Sequence, residues 1–237
     1  MASTSSKTTK PKVTVVIPTV PGREANLAAC IAGYEGDGVE ILVEEGHDAC
    51  GDAWAAGAAK AKGEFLHFTA DDLIPREGWM EAAIAATTAK THPAACVFAE
   101  DGGLESAGLS DHNLERVAKD GREVQASGVP FIRTSWWKKH VAKDWPEGLH
   151  YSTDLLLSHL LAAGGIHAVV ATGFAMTHTW AEAGRHGMER LHADFAVYQA
   201  IVGGGTEPDT EPEPDTEPDV ATEPALDDPE ADGGDGE

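Results

Sequence analysis

Two hydrophobic periodicities alternate along the chain. "KVTVVIPT" is a β-branched run closed by a proline, the pattern of a buried parallel strand. "GREANLAACIAGY" follows with Leu27, Ile31 and Tyr34 at helical spacing on one face, and Gly33 or Gly36 in place to end the helix. "VEILVEEG" predicts a second strand, "DAWAAGAAKAKG" an Ala-rich helix stopped by Gly63, and "EFLHFTA" a third strand. "GWMEAAIAATTAK" reads as a helix and "AACVFAE" as a fourth strand. This alternation predicts an α/β fold with a mostly parallel central sheet flanked by helices on both faces.

Further along, Asp101 to Gly128 is polar and Gly-rich, an excursion expected to hold one short helix around Asn113 to Lys119. "VPFIR" predicts a strand, followed by an aromatic-basic segment and a helix from about Thr153 to Ala163. "IHAVVATGFAMTHTW" suits a strand pair or a strand plus loop, and "MERLHADFAVYQAIV" a closing amphipathic helix. The expected organisation is a disordered Ser/Thr/Lys leader over 1–10, one domain over 11–202, and a disordered Glu/Pro/Asp-rich tail over 203–237.

Charge sharpens this picture. The chain of 237 residues carries a formal −23, and Thr206 to Glu237 holds 14 acidic residues and no Lys or Arg, leaving −9 for the rest. An acidic body has no basic footprint, which disfavours nucleic acid as a partner. Cys30, Cys50 and Cys96 lie far apart with no CxxC, the pattern of free thiols in a reducing compartment. No apolar run approaches the roughly 18 residues of a membrane span, and no secretory h-region is visible, so a cytoplasmic protein without a membrane anchor is expected.

Chemistry gathers at strand ends. In doubly wound sheets, ligands bind outside the carboxyl ends of the strands. Thr19, Glu44, Glu45, Asp71 and Asp72 all fall there. Asp71 and Asp72 are adjacent, so they repel unless they face water or share a cation. Taken alone, they also suit an Asx turn and helix cap before Pro75.

Five pieces in order resemble the family 2 glycosyltransferases, with their GT-A fold: "VTVVIPT", "ILVEEG", "AGAAKAKGEFLHFTADD", "DDLIPREGWM" and "YSTDLLLSHLLAAG". The resemblance spans about Val13 to His178. It implies a metal-dependent, inverting transfer of a sugar from a nucleotide-diphosphate donor to an acceptor hydroxyl. Pro18, Thr19, Glu44 and Glu45 match positions that hold the nucleotide base and ribose, and Asp71 would also contact the donor. Asp72 would ligate Mn²⁺ or Mg²⁺, His178 would complete that site, and Asp154 would be the general base. The acceptor class stays open among protein, glycan, small molecule and modified base. The chain differs from the family pattern at Ala70 (first position of the DXD motif), Glu44-Glu45 (for Asp-Asp), Trp54-Ala55 (for Arg-Asn) and Thr153-Asp154 (for Glu-Asp).

The residues admit plainer roles beside these. Asp154 complements a helix N-terminus, and His178 is one histidine among eleven. Arg133, Lys138 and Lys139 suit either a diphosphate or a solvated surface. Trp136 and Trp137 suit either a sugar face or the core. A nucleotidyltransferase-like enzyme is the alternative chemistry, although "PTVPGREAN" is poor in Gly and cations after the first strand. A catalytically silent nucleotide-sugar-binding module is the non-enzymatic alternative.

Overall fold

The computed structural model describes residues 10–88, 94–100, 103–107, 130–166, 168–179 and 188–203. The chain divides into a unit Met1–Gly205 and a unit Thr206–Glu237, and every described residue belongs to the first. The expected leader over 1–9, the helix at Asn113 to Lys119 and the tail beyond 203 lie outside the described residues.

The strand–helix alternation appears as read: β1 (Val13–Thr19), α1 (Glu24–Tyr34), β2 (Val39–Glu45), α2 (Cys50–Lys60) and β3 (Phe65–Phe68). They continue into β4 (Leu73–Pro75), α3 (Trp79–Thr88), β5 (Ala94–Glu100), β6 (Gly103–Ala107) and β7 (Pro130–Arg133). The rest is α4 (Thr134–Trp136), which runs on as a π-helical turn Trp137–Val141, then α5 (Thr153–Ala162), β8 (Val169–His178) and α6 (Met188–Val202). The strands form one sheet in the order β2-β1-β3-β7-β5-β8-β4, with β6 paired to β5. The ladders β1–β2, β1–β3 and β5–β8 are parallel, while β7, β6 and β4 join antiparallel.

Alternation along β1 splits the core in two, because successive side chains leave opposite faces of a strand. Val13, Val15 and Ile17 bury against Cys30 and Tyr34 of α1 and Trp79 and Ala83 of α3. Val16 buries on the other side with Trp54 and Ala58 of α2 and with Leu156, Leu157, Leu160 and Leu161 of α5. Each such buried side chain contributes on the order of 1.5–3 kcal/mol. Gly57 lets α2 approach closely: a Cβ there would lie 2.4 Å from Val16 Cγ1.

Two local readings change, and the late apolar segment takes one of its two expected forms. The segment after the paired Asp is a short strand, β4, pairing antiparallel with β8, rather than a turn capping a helix at Pro75. As the terminal strand in the sheet order, β4 tolerates its proline. The late apolar segment is a single strand of ten residues. Part of the polar excursion, Gly103–Ala107, is strand β6.

Candidate active site at the carboxyl edge of the parallel strands

The ends of β1 and β3 and the start of α2 surround a cleft of about 280 Å³. Pro18, Thr19, Arg23, Glu44, Asp71 and Asp72 line it, with Ala49 and Cys50 at the α2 start and His150 and Tyr151 opposite. Asp71 is 3% exposed. Its Oδ2 accepts a 2.7 Å hydrogen bond from Thr19 Oγ1. Arg23 reaches over from the residue before α1, its Nη2 lying 2.9 Å from Asp71 Oδ1 and 2.9 Å from Asp72 Oδ2. The buried Nε of Arg23 has no acceptor. Arg23 is held here through its Nη2, which donates to Asp72 Oδ2 and pairs with Asp71.

The pair does share a cation, and its two members titrate differently. Burial pushes Asp71 above the usual carboxylate range, with the Asp72 charge adding and Thr19 and Arg23 opposing. Burial would raise Asp72 as well, but hydrogen bonding and charge from His178 and Arg23 outweigh it and hold Asp72 below that range. His178 Nε2 lies 3.5 Å from Asp72 Oδ2. The β4–β8 register explains this approach: Leu73 pairs with His178, so the residue before β4 meets the end of β8. The Asp72 carbonyl also accepts from Thr179 N at 2.9 Å and Thr179 Oγ1 at 3.1 Å.

Glu44 faces inward at 5% exposure. Both of its carboxylate oxygens lie 2.9 Å from Lys60 Nζ, and His47 Nε2 is 3.4 Å from Oε2. Glu45 alternates to the exposed side and does not line the cleft. Asp154 sits in the first turn of α5, half-buried, and is not among the cleft-lining residues. Burial raises it above the usual range, opposed by the backbone N–H groups of Leu155 and Asp154. Burial, with the charge of Asp154 adding, pushes the cleft-lining Cys50 thiol up to about 12.

The aromatic-basic segment lies apart from this cleft. Arg133 pairs with Glu64 at 2.8 Å and packs over the Phe65 ring. Trp137 is buried in the core, and Lys138 and Lys139 are exposed. None of these four, nor Trp136, lines the cleft. Trp54 is 3% exposed and stacks on Phe68 at 4.7 Å. Cys30 and Cys50 are free thiols.

Sequence reading passed over Arg23, a cation in the turn after the first strand whose nearness to the Asp pair, 48 and 49 positions away, no local pattern discloses. It also passed over His150 and Tyr151, whose only signal was nearness to the α5 start. Among the described residues no group of three His, Cys, Asp or Glu side chains converges as a metal cluster. No helix among them is long and apolar enough to cross a membrane.

The chain matches no family model and no curated protein. It is similar to solved structures. Mannosyltransferase PcManGT from Pyrobaculum calidifontis, in complex with GDP-Man and Mn²⁺, is 15% identical over 84% of this chain and 66% of that one, with TM-score 0.63. S. aureus TarS 1-349 in complex with UDP is 13% identical over 82% of this chain and 65% of that one, with TM-score 0.56. The chain thus spans just under two thirds of the length of these two solved chains. The likeness establishes the fold class that the sequence pieces resemble: an α/β, GT-A-like sheet flanked by helices.

Proposed function

We propose that the chain is an inverting glycosyltransferase of the family 2 type, moving a sugar from a nucleotide-diphosphate donor to an acceptor hydroxyl. The observation that carries this reading is the Thr19–Asp71–Arg23–Asp72–His178 constellation beside the cleft at the strand ends. A cleft of about 280 Å³ is near the lower bound of small-molecule pockets, roughly 300 Å³. The solved neighbours carry GDP-Man with Mn²⁺, and UDP, in their own sites.

In this reading Pro18, Thr19 and Glu44 border the nucleoside, with Glu45 as the outer member of the strand-end pair, and Asp71 contacts the donor. Asp72 and His178 fit a divalent ion. A hard carboxylate oxygen and an imidazole nitrogen lie close together at a spot where Asp72 already holds a cation. Two protein ligands also leave room for the phosphate oxygens and waters that Mn²⁺ or Mg²⁺ keeps. A bound ion would supply positive charge to the departing diphosphate. Asp154 accepts the proton of the acceptor hydroxyl as that oxygen bonds to the anomeric carbon. The bond from this carbon to the diphosphate breaks, its electron pair leaving with the phosphate. A single displacement from the opposite face inverts the centre. The raised affinity of Asp154 for protons suits a general base.

The deciding experiment is calorimetry and donor hydrolysis with a panel of UDP- and GDP-sugars, with Mn²⁺ and with EDTA. Donor binding that needs Mn²⁺ supports the reading. No binding and no hydrolysis of any donor overturns it. Equal binding in EDTA favours a second reading, in which Arg23, already seated on both carboxylates, supplies the positive charge for the diphosphate.

A further inference from the structure

The wall of the cleft formed by His150 and Tyr151 is loop, yet it is tied on two sides. Toward α2, Cys50 N donates to His150 Nδ1 at 3.3 Å and Gly51 N to the Leu149 carbonyl at 2.8 Å. Gly148 N donates to Asp52 Oδ1 at 2.9 Å, and Trp145 Nε1 to the Gly51 carbonyl at 3.0 Å. The wall's amides supply the ties toward the closing helix α6. Asp194, 4% exposed, takes on its Oδ2 the N–H of His150 at 2.9 Å and of Tyr151 at 2.7 Å. Its Oδ1 takes Arg190 Nε at 2.9 Å, and Arg190 Nη2 donates onward to the Gly148 carbonyl. One helical turn of α6 therefore grips three residues of the wall.

The next residue, Ser152, holds φ 60° at the start of α5. A non-glycine residue in the left-handed region costs free energy, and it persists where its surroundings over-determine it. Both neighbouring amides on its N-terminal side are bound by the Asp194 carboxylate, and Asp154 follows two residues later. The chain direction from cleft wall to proposed base is thus set between Asp194 and Ser152.

We infer that Asp194, braced by Arg190, is a positioning residue of the active site: it fixes the His150–Tyr151 wall and the entry to the helix that carries Asp154. The inference rests on the glycosyltransferase reading for what is positioned. The clasp itself is independent of that reading. A carboxylate binding two backbone amides and a guanidinium forms the charge-assisted class of hydrogen bond, about twice as strong as neutral ones. In Asp194→Asn one oxygen remains to accept and the amide NH₂ turns a donor toward donors. The wall is then released without loss of side-chain volume.

The test uses the full chain, with Asp194→Asn, Arg190→Gln and, as a control on the same helix, the exposed neighbour variant Glu189→Gln. Three readouts are taken: melting temperature, iodoacetamide alkylation of Cys50 mapped by mass spectrometry, and steady-state hydrolysis of the donor that binds. Cys50 lines the cleft with its backbone N–H bonded to His150 of the wall, so its alkylation reads the release of that tie, and fully buried Cys30 serves as the internal reference. Asp194→Asn is expected to stay folded, to alkylate at Cys50 about tenfold faster, and to lose about tenfold in kcat with donor KM within about threefold. Arg190→Gln should move in the same direction by less, and Glu189→Gln should match wild type. A folded Asp194→Asn with wild-type Cys50 alkylation and wild-type kcat overturns the inference. So does a loss of kcat and KM in proportion to melting temperature, which is the mark of a merely structural contact. Hydrogen exchange on wild type tests the clasp without any variant: slow exchange at His150 and Tyr151 supports it, and exchange at loop rates overturns it. If wild type binds and turns over no donor, the glycosyltransferase reading fails, while alkylation and exchange still decide the clasp.

Discussion

Asp154 and Asp194 are both carboxylates at well-packed positions, and their surroundings drive them in opposite directions. Asp154 is raised by burial, so the native state favours its protonated form and ionisation costs stability. That cost is absent below the unfolded carboxylate pKa and complete once the pH exceeds the raised native value. Asp154→Asn should therefore melt higher than wild type at pH 7 and the difference should vanish toward acid, as read by calorimetric melting. The same variant should bind donor and lose about a hundredfold or more in transfer; normal transfer would refute the base assignment. Wild-type transfer should fall on the acid side at a pH above the ordinary carboxylate range, because the base must be ionised. Asp194 follows the other sign. Burial would raise it, but the amides of Tyr151 and His150, with Arg190, bring it below the usual range. Its stabilisation is present above the unfolded value and is lost as the pH falls through the depressed native one. Asp194→Asn should accordingly melt below wild type at pH 7 and converge with it in acid.

In the proposed glycosyltransferase reading, donor binding turns on Asp72. Asp72→Ala removes the carboxylate that pairs with both Arg23 and His178, leaving Arg23 on Asp71 alone. It should abolish metal-dependent binding of nucleotide-sugar in calorimetry while leaving the fold intact by circular dichroism. Retention of Mn²⁺-dependent affinity within about twofold would show that the ligand lies elsewhere.

At the scale of elements, the close approach of α2 to β1 depends on one glycine. Gly57 has no room for a methyl group against Val16, since the contact would be 2.4 Å. Gly57→Ala should destabilise by about 1–3 kcal/mol through overpacking, despite the better helix propensity of alanine. Urea unfolding monitored at the tryptophans would measure it; a neutral or stabilising result would mean that α2 shifts freely on the sheet. Short β4 matters as much for its size. It carries the register that sets Asp72 beside His178, and periodicity does not disclose a strand of three residues containing proline. The longer elements were legible because each repeats its pattern over seven or more residues: α6 begins and ends where the Met188–Val202 amphipathic pattern does.

Among the described residues, the apolar clusters on the two faces of the sheet close without any residue beyond Ile201. A chain ending after Gly205 is expected to keep the wild-type melting temperature and nucleotide affinity, with a net charge less negative by 14. Loss of donor binding in that variant would assign the acidic segment a part in the site. The parallel β1–β2 and β1–β3 ladders bring Thr19, Glu44 and Asp71 to one edge from separations of up to 52 residues.

The sequence by itself determined the α/β class, the parallel strands at the amino-terminal side, and which acids would stand at their carboxyl ends. Those features follow from local periodicity and from the rule that a parallel strand ends where its crossover begins. Only the tertiary structure decided which of these acids face one another. Glu44 turns inward and Glu45 outward by one residue of strand alternation. Arg23 closes on the Asp pair across 48 and 49 positions of chain, and Asp194 reaches the wall from the last helix. Such partners are chosen by register and by packing between distant segments. A local pattern of apolar and polar residues carries no information about them.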